Sequence, residues 1–240
     1  MGGAQGIPWP RLLAESIAIV GSILLAFAID AWWEQRSENE QAQILLSSLY
    51  SDFRASSEEL EIQLARNKTI QESSAEFLRE IRESELGAEI SIPMRVLIAT
   101  MGSPTFGPTA SSVDLAFSSG RIELIEDAAL RAALAAWRQQ IEDTAEEEIR
   151  VQDIVTHRLI PELSTQVRLG AFEVDAVLSI SADQNPGGEY DEEALLRVSS
   201  ELEGIMSQRV FLGTIVVANL TTTGKLQEQV LQMLDDYVNN

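Results

Sequence analysis

The sequence predicts a mostly all-α protein with one N-terminal transmembrane helix that continues into a long helix and carries an antiparallel helical bundle outside the bilayer. Three observations carry this expectation. Apolar residues dominate from Leu12 to Trp33, neither proline nor glycine interrupts the chain from Asp30 to Leu86, and apolar side chains then recur at three- and four-residue spacing. The expected divisions are a tail over 1–11, a transmembrane helix over 12–33, and an acidic helical domain over 34–240 with a less regular excursion near 170–190.

The stretch from Leu12 to Trp33 would span about 33 Å as a helix, enough to cross a hydrocarbon core. Its uncharged centre, Ser16 to Ile29, is shorter and by itself also fits a signal-peptide core or a buried helix. Trp9 before the stretch and Trp32 and Trp33 after it stand where aromatic belts mark the two membrane interfaces, which favours a retained span. Glu15 and Asp30 sit at its ends, and carboxylates are costly in lipid unless they face a helix partner, a cavity or the headgroups. At about 100° per residue, Glu15, Ala18, Ser22, Ala26 and Asp30 share one polar, small-residue face, suited to association with another membrane helix or to lining a pore. Arg11 and Arg36 flank the span almost symmetrically, so orientation rests on the ordinary behaviour of a short tail and a long translocated domain: amino terminus cytoplasmic, domain outside.

Beyond the anchor, Leu46, Leu49, Phe53, Leu60, Ile70, Phe77 and Ile81 form a seam with Ser56, Asn67 and Ser74 between them, and packing against later helices of the same chain is the expected use. Gly87 is read as the stop. Ser91 to Val96 is read as a short second helix with Pro93 near its first turn, and Gly102, Pro104, Gly107 and Pro108 as a loop. A helix from Ser111 ends at Ser118-Ser119-Gly120, and another starts near Asp127. Its stripe, Leu130, Leu134, Trp137, Ile141, Ala145, Ile149 and Val155, is expected to end at Pro161 and to pack antiparallel on the exit helix. A last helical region covers Asp191 to Val238, with a possible break at Gly224; its apolar run Val210 to Leu220 is too short to cross a bilayer.

Charge narrows the functional classes. With 17 Lys+Arg against 38 Asp+Glu the net charge is −21, which opposes nucleic acid and anionic lipid surfaces and leaves an inserted segment as the means of reaching the bilayer. No cysteine and a single histidine exclude disulfides, thiolate zinc sites and most histidine metal sites. Asp183, Asn185, Gly187 and Gly188 only partly match a calcium loop, because its closing glutamate position holds Ala194. Glu142, Asp143, Glu146, Glu147 and Glu148 read as a solvated helix face, and His157 as a surface or capping residue. No catalytic, cofactor-binding or metal residues are assigned.

The anchor and its exit, with Glu15, Gly21, Ala26, Ile29, Asp30, Trp32, Glu34 and Arg36 in order, resemble a widespread bacterial family of single-pass proteins known only as a domain of unknown function. Leu115, Ser118-Ser119-Gly120, Leu124-Ile125 and Leu130-Arg131 are similar to that family's serine-glycine turn and following helix. The resemblance covers about the first 85 residues and roughly 110 to 140, and implies an inner-membrane protein without implying any activity; the chain departs from the family in lacking a lysine-rich tail.

Three functional classes fit these features: a non-enzymatic membrane-anchored scaffold, self-associating or an accessory subunit of a larger membrane complex; a homo-oligomeric cation pore or channel regulator lined by Glu15, Ser22 and Asp30; and a sensor whose acidic domain binds a ligand or cation. A closed homo-oligomer separates the second from the first, and a stoichiometric foreign subunit the reverse.

Overall fold

A computed structural model describes residues 9–167 and 193–238, with side chains from Ala18 to Tyr237 within them. The order is α1 (Trp9–Glu83), β1 (Glu89–Pro93), α2 (Met94–Thr100), α3 (Ser111–Ser118), a 3-10 turn (Arg121–Leu124), α4 (Ala128–Ile154), a wide helical turn (Val155–Leu159), α5 (Ile160–Ser164), β2 (Glu193–Arg197) and α6 (Ser200–Val238). The excursion near 170–190, including Asp183 to Gly188, lies outside the described residues.

α1 runs for 75 residues because nothing between Ser22 and Leu86 removes a backbone donor or lacks a Cβ. It ends before Gly87, whose positive φ of 87° turns the chain. Its seam is a strict seven-residue repeat: Leu49, Phe53, Ser56, Leu60, Ile70, Ser74, Phe77 and Ile81 are all buried at alternating three- and four-residue steps, interrupted at the half-buried Gln63 and Asn67. α6 carries the same repeat through Leu202, Met206, Arg209, Gly213, Val216, Leu220, Thr223, Gln227, Val230 and Leu234. A seven-residue repeat is the pattern that favours shallow left-handed helix packing, and α6 packs on both α1 and α4.

The expected antiparallel pairing of α1 with α4 is corrected. α6 is antiparallel to both, since Gln71 meets Val210 and Thr214 while Arg82 meets Ser207 on one side, and Trp137 meets Gln227 while Arg158 meets Gln208 on the other. α1 and α4 therefore run parallel. The reason is the connection over 84–127, which carries the chain back along the bundle: Asp52 of α1 accepts from Ser112 N at the start of α3 (2.9 Å), far from the end of α1.

Four further expectations change. Ser91 to Val96 does not form one helix: Ile90 and Ile92 alternate inward on β1, which pairs antiparallel with β2 through Ile90 opposite Leu196 and Ile92 opposite Ala194, and Pro93 precedes α2 as its N-cap. In α4 the buried stripe after Ile141 passes through Thr144, Glu148, Val151 and Val155, and Ile149 is exposed. Steps of four in succession, as in Ile141, Ala145 and Ile149, drift off the face that a seven-residue repeat holds. Pro161 does not end this helical run: Ile160 N–H reaches back to Val155 O across the wide turn, and Pro161 then sits in the first turn of α5, where a missing N–H is cheap. α6 begins at Ser200, after β2, and continues unbroken through Gly224, whose added Cβ would only touch Leu60 at 3.5 Å. The reading of α3, its stop at Gly120 (φ 75°) and the restart at Asp127, which accepts from Ala129 N, agrees with the structure.

The three long helices meet at a polar junction. Gln227 of α6, 1% exposed, accepts from the Trp137 indole of α4 at 3.2 Å and donates to Phe53 O (3.2 Å) and Ser57 Oγ (3.0 Å) of α1. The rings of Phe53 and Trp137 lie alongside, tilted by 48° with centroids 4.6 Å apart. Replacing Gln227 by leucine strands the buried indole N–H and is expected to cost about 1–3 kcal/mol in denaturant unfolding of the full chain in mild detergent. Adding Trp137→Phe should return part of that loss, because both polar partners are then gone; a double variant with strictly additive losses would reject the junction.

Candidate functional site

The N-terminal half of α1 stands apart from the bundle. Every described side chain from Ala18 to Gln41 is exposed, and the large apolar ones from Ile19 to Trp33 are 50–66% exposed around the whole circumference. Among the described residues this is the one helix long and apolar enough to cross a membrane. A water-soluble amphipathic helix buries one face and keeps the other polar, whereas apolar residues all round require a nonaqueous environment or a covering partner.

The predicted face is present on this half of α1 as Ala18, Ser22, Ala26 and Asp30, four residues apart; the side chains of Glu15 and Trp9 lie outside the described residues. Ala18, Ser22 and Ala26 are exposed, and Asp30, also exposed, lines an open groove with Leu124 of the turn after α3. Ser22 Oγ donates to Ala18 O of its own helix at 2.7 Å, which satisfies the hydroxyl without a neighbour and leaves a low-relief surface of small side chains. Gly21 is equally open, with nothing within 4 Å of where a Cβ would stand. At the exit, Trp32 and Trp33 are adjacent rings 6.1 Å apart, and the Arg36 guanidinium lies 5.9 Å from the Trp32 centroid while pairing with Glu40 at 3.2 Å. An indole belt with a cation on its aqueous side is the arrangement an interface favours.

From Glu34 to Gln41 α1 is a lone polar stalk, held by i,i+4 hydrogen bonds from Gln35 to Asn39, Arg36 to Glu40 and Gln41 to Ser37. Between the stalk and the turn that follows α3 lies an open groove of about 530 Å³, lined by Asp30, Trp33, Glu34, Glu38 and Leu124 among others.

Within the bundle, polar groups that sequence reading missed hold the connection between α2 and α3. Arg209, 2% exposed, donates from Nε to Thr100 O (3.2 Å) and from Nη2 to Gly102 O (2.9 Å), meeting the carbonyl end of α2; burial lowers its pKa to about 10. Ser56 donates to Thr109 O at 3.1 Å, and Asp52 accepts from Ser112 N and Oγ, capping α3 from a neighbouring helix. Glu148 accepts from Phe106 N at 3.0 Å. The expectation of a fully solvated acidic face on α4 is thus corrected: Glu142, Asp143 and Glu146 are not buried, but Glu148 is 4% exposed at a core position of the repeat. His157 is a surface residue beside Asp153 (3.0 Å). The described residues contain no group of three His, Cys, Asp or Glu side chains placed to hold a metal. The signal for Arg209, Gln227 and Glu148 was available in the repeat, as polar residues at seam positions.

No family model, curated protein or solved structure matches the chain.

Burial raises the Glu148 pKa from 4.5 to about 7, the Phe106 N–H opposing in part. The folded state therefore holds the proton more tightly than the unfolded chain, and the stability this supplies is complete below pH 4.5 and lost as pH rises to about 7. Glu148→Gln keeps an acceptor for Phe106 N and removes the titration, so its stability relative to the natural chain should rise by about 1–3 kcal/mol across that interval, solvent screening reducing the full effect of the shift. Denaturant titrations of both chains at a series of pH values check this; a constant difference would place Glu148 in contact with water.

Proposed function

We propose that the chain is a non-enzymatic membrane-anchored scaffold, self-associating or acting as an accessory subunit of a larger membrane complex. The observation that carries this reading is the exposed, all-round apolar half of α1, joined without a break to a bundle whose core polar groups serve to lock helices together. In this reading α1 crosses the bilayer over 12–33, with Trp9 at one interface and Trp32 and Trp33 at the other, and the acidic domain lies outside the cytoplasm of a bacterial inner membrane. The resemblance of the anchor to the family of unknown function supports the same placement. Association uses the face of Glu15, Ala18, Ser22, Ala26 and Asp30, where small side chains permit close backbone approach in a medium that supplies no hydrophobic drive between helices. The hydroxyl of Ser22, turned back on its own helix, suits close packing better than a water-filled lumen.

A reporter active only outside the cytoplasm, fused after Asn240, should be active; activity of a cytoplasm-only reporter at that position would reverse the topology. Association is checked by cysteine crosslinking in native membranes, where the absence of natural cysteine keeps the background low. Ser22→Leu with Ala26→Leu should abolish anchor crosslinks while insertion persists, and Val20→Ala with Leu24→Ala should leave them intact. Equal crosslinking in both variants would eliminate the face as an interface.

A further inference from the structure

We infer that the groove between the α1 stalk and the turn after α3 docks a cationic, amphipathic segment of a second protein lying along the membrane surface. This rests on the membrane reading above, which puts the groove at the outer interface, Asp30 and Trp33 at headgroup level and Glu34 and Glu38 beyond them. The face concerned continues the α1 seam beyond the end of the bundle: after Leu45 the seam is covered by α4 and α6, and before it the same side of the helix presents Glu38, Glu34 and Asp30 to open space.

Two observations indicate what covers it. The i,i+4 bonds that support the stalk join Gln35 to Asn39, Arg36 to Glu40 and Gln41 to Ser37, and its only cation, Arg36, is engaged with Glu40 and Trp32 away from the groove. Asp30, Glu34 and Glu38 instead form a like-charged ladder with no ion pair among the described residues, an arrangement that opposes the helix until a cation neutralises it. The groove is also bounded by apolar side chains, Trp33 just below the stalk and Leu124 on the turn, so a partner that alternates cations with apolar side chains complements it better than a bare ion. Glu126 and Asp127 follow Leu124 closely in the chain and add negative charge at this end of the bundle. An anionic lipid surface is repelled by this field, and a second copy of a chain with net charge −21 is a poor match for it.

The test uses the full chain in phosphatidylcholine nanodiscs and a fluorescein-labelled octapeptide alternating arginine with leucine, read by anisotropy against empty nanodiscs. The natural chain should bind and weaken with added salt. Glu34→Gln and Glu38→Gln together, which leave the Asp30 face intact, should weaken binding about fivefold, as loss of two exposed charge pairs implies. Leu124→Ser should weaken it severalfold, and neutralising Glu142, Asp143 and Glu146 on α4 should leave it unchanged. Absence of binding, equal loss on neutralising the α4 carboxylates, or indifference to Leu124→Ser would overturn the proposal. So would a dimer of the natural chain that dissociates in the stalk variant. Failure of the chain to enter nanodiscs would reject the anchor instead, and the same titration in mild detergent then judges the groove by itself.

Discussion

Gln227 is the point at which three helices become one body. Its amide bonds both other long helices at once, taking the Trp137 indole of α4 and giving to Phe53 O and Ser57 of α1. A buried amide tolerates little displacement, because a slip of one repeat would leave donor and acceptor unpaired in a medium that offers no water. Apolar seams of leucine and isoleucine can slide and still be covered; the junction fixes which layer of each helix meets which. Thr144 and Thr223, 3.4 Å apart one to two turns away, repeat the constraint more weakly between α4 and α6.

The same use of polar groups holds the long connection. The chain leaves β1, passes through α2 and must return to the end of the bundle where α4 begins. Arg209, Glu148, Ser56 and Asp52, drawn from all three long helices, fasten it at Thr100, Gly102, Phe106, Thr109 and Ser112. This fastening is what makes α1 and α4 parallel, and it explains why Glu148 occupies a core position at the expense of an ionisation shifted toward neutrality.

Much of this was legible in the sequence, and the misses share a cause. The continuous α1, its seam, the Ser119–Gly120 stop and the Asp127 start follow from local rules on caps, breakers and period, and each is found. β1 was lost because Glu89 to Pro93 is too short to declare itself and its partner lies about a hundred residues on. The antiparallel pairing of α1 with α4 failed because periodicity gives the buried face of a helix and not the neighbour that covers it. At Pro161 and Gly224 breaker rules were overridden, in one case by a wide turn and in the other by the buried Leu220, Thr223 and Gln227 that hold the helix on both sides of the glycine. Of the candidate site, the stripe and tryptophans could be listed in advance, whereas the groove needs Leu124, brought to the stalk only by folding.

The unbroken α1 fixes azimuth as well as height. Because one hydrogen-bonded ladder runs from the apolar half through the stalk into the seam, the direction in which Ser22 and Ala26 point is set by how Phe53 and Leu60 are packed. One residue inserted in the stalk would lift the bundle by about 1.5 Å but swing it by about 100° around the helix axis. Seven residues would lift it by about 10 Å and nearly restore its bearing. The stalk is therefore a spoke whose length is tolerant and whose phase is not.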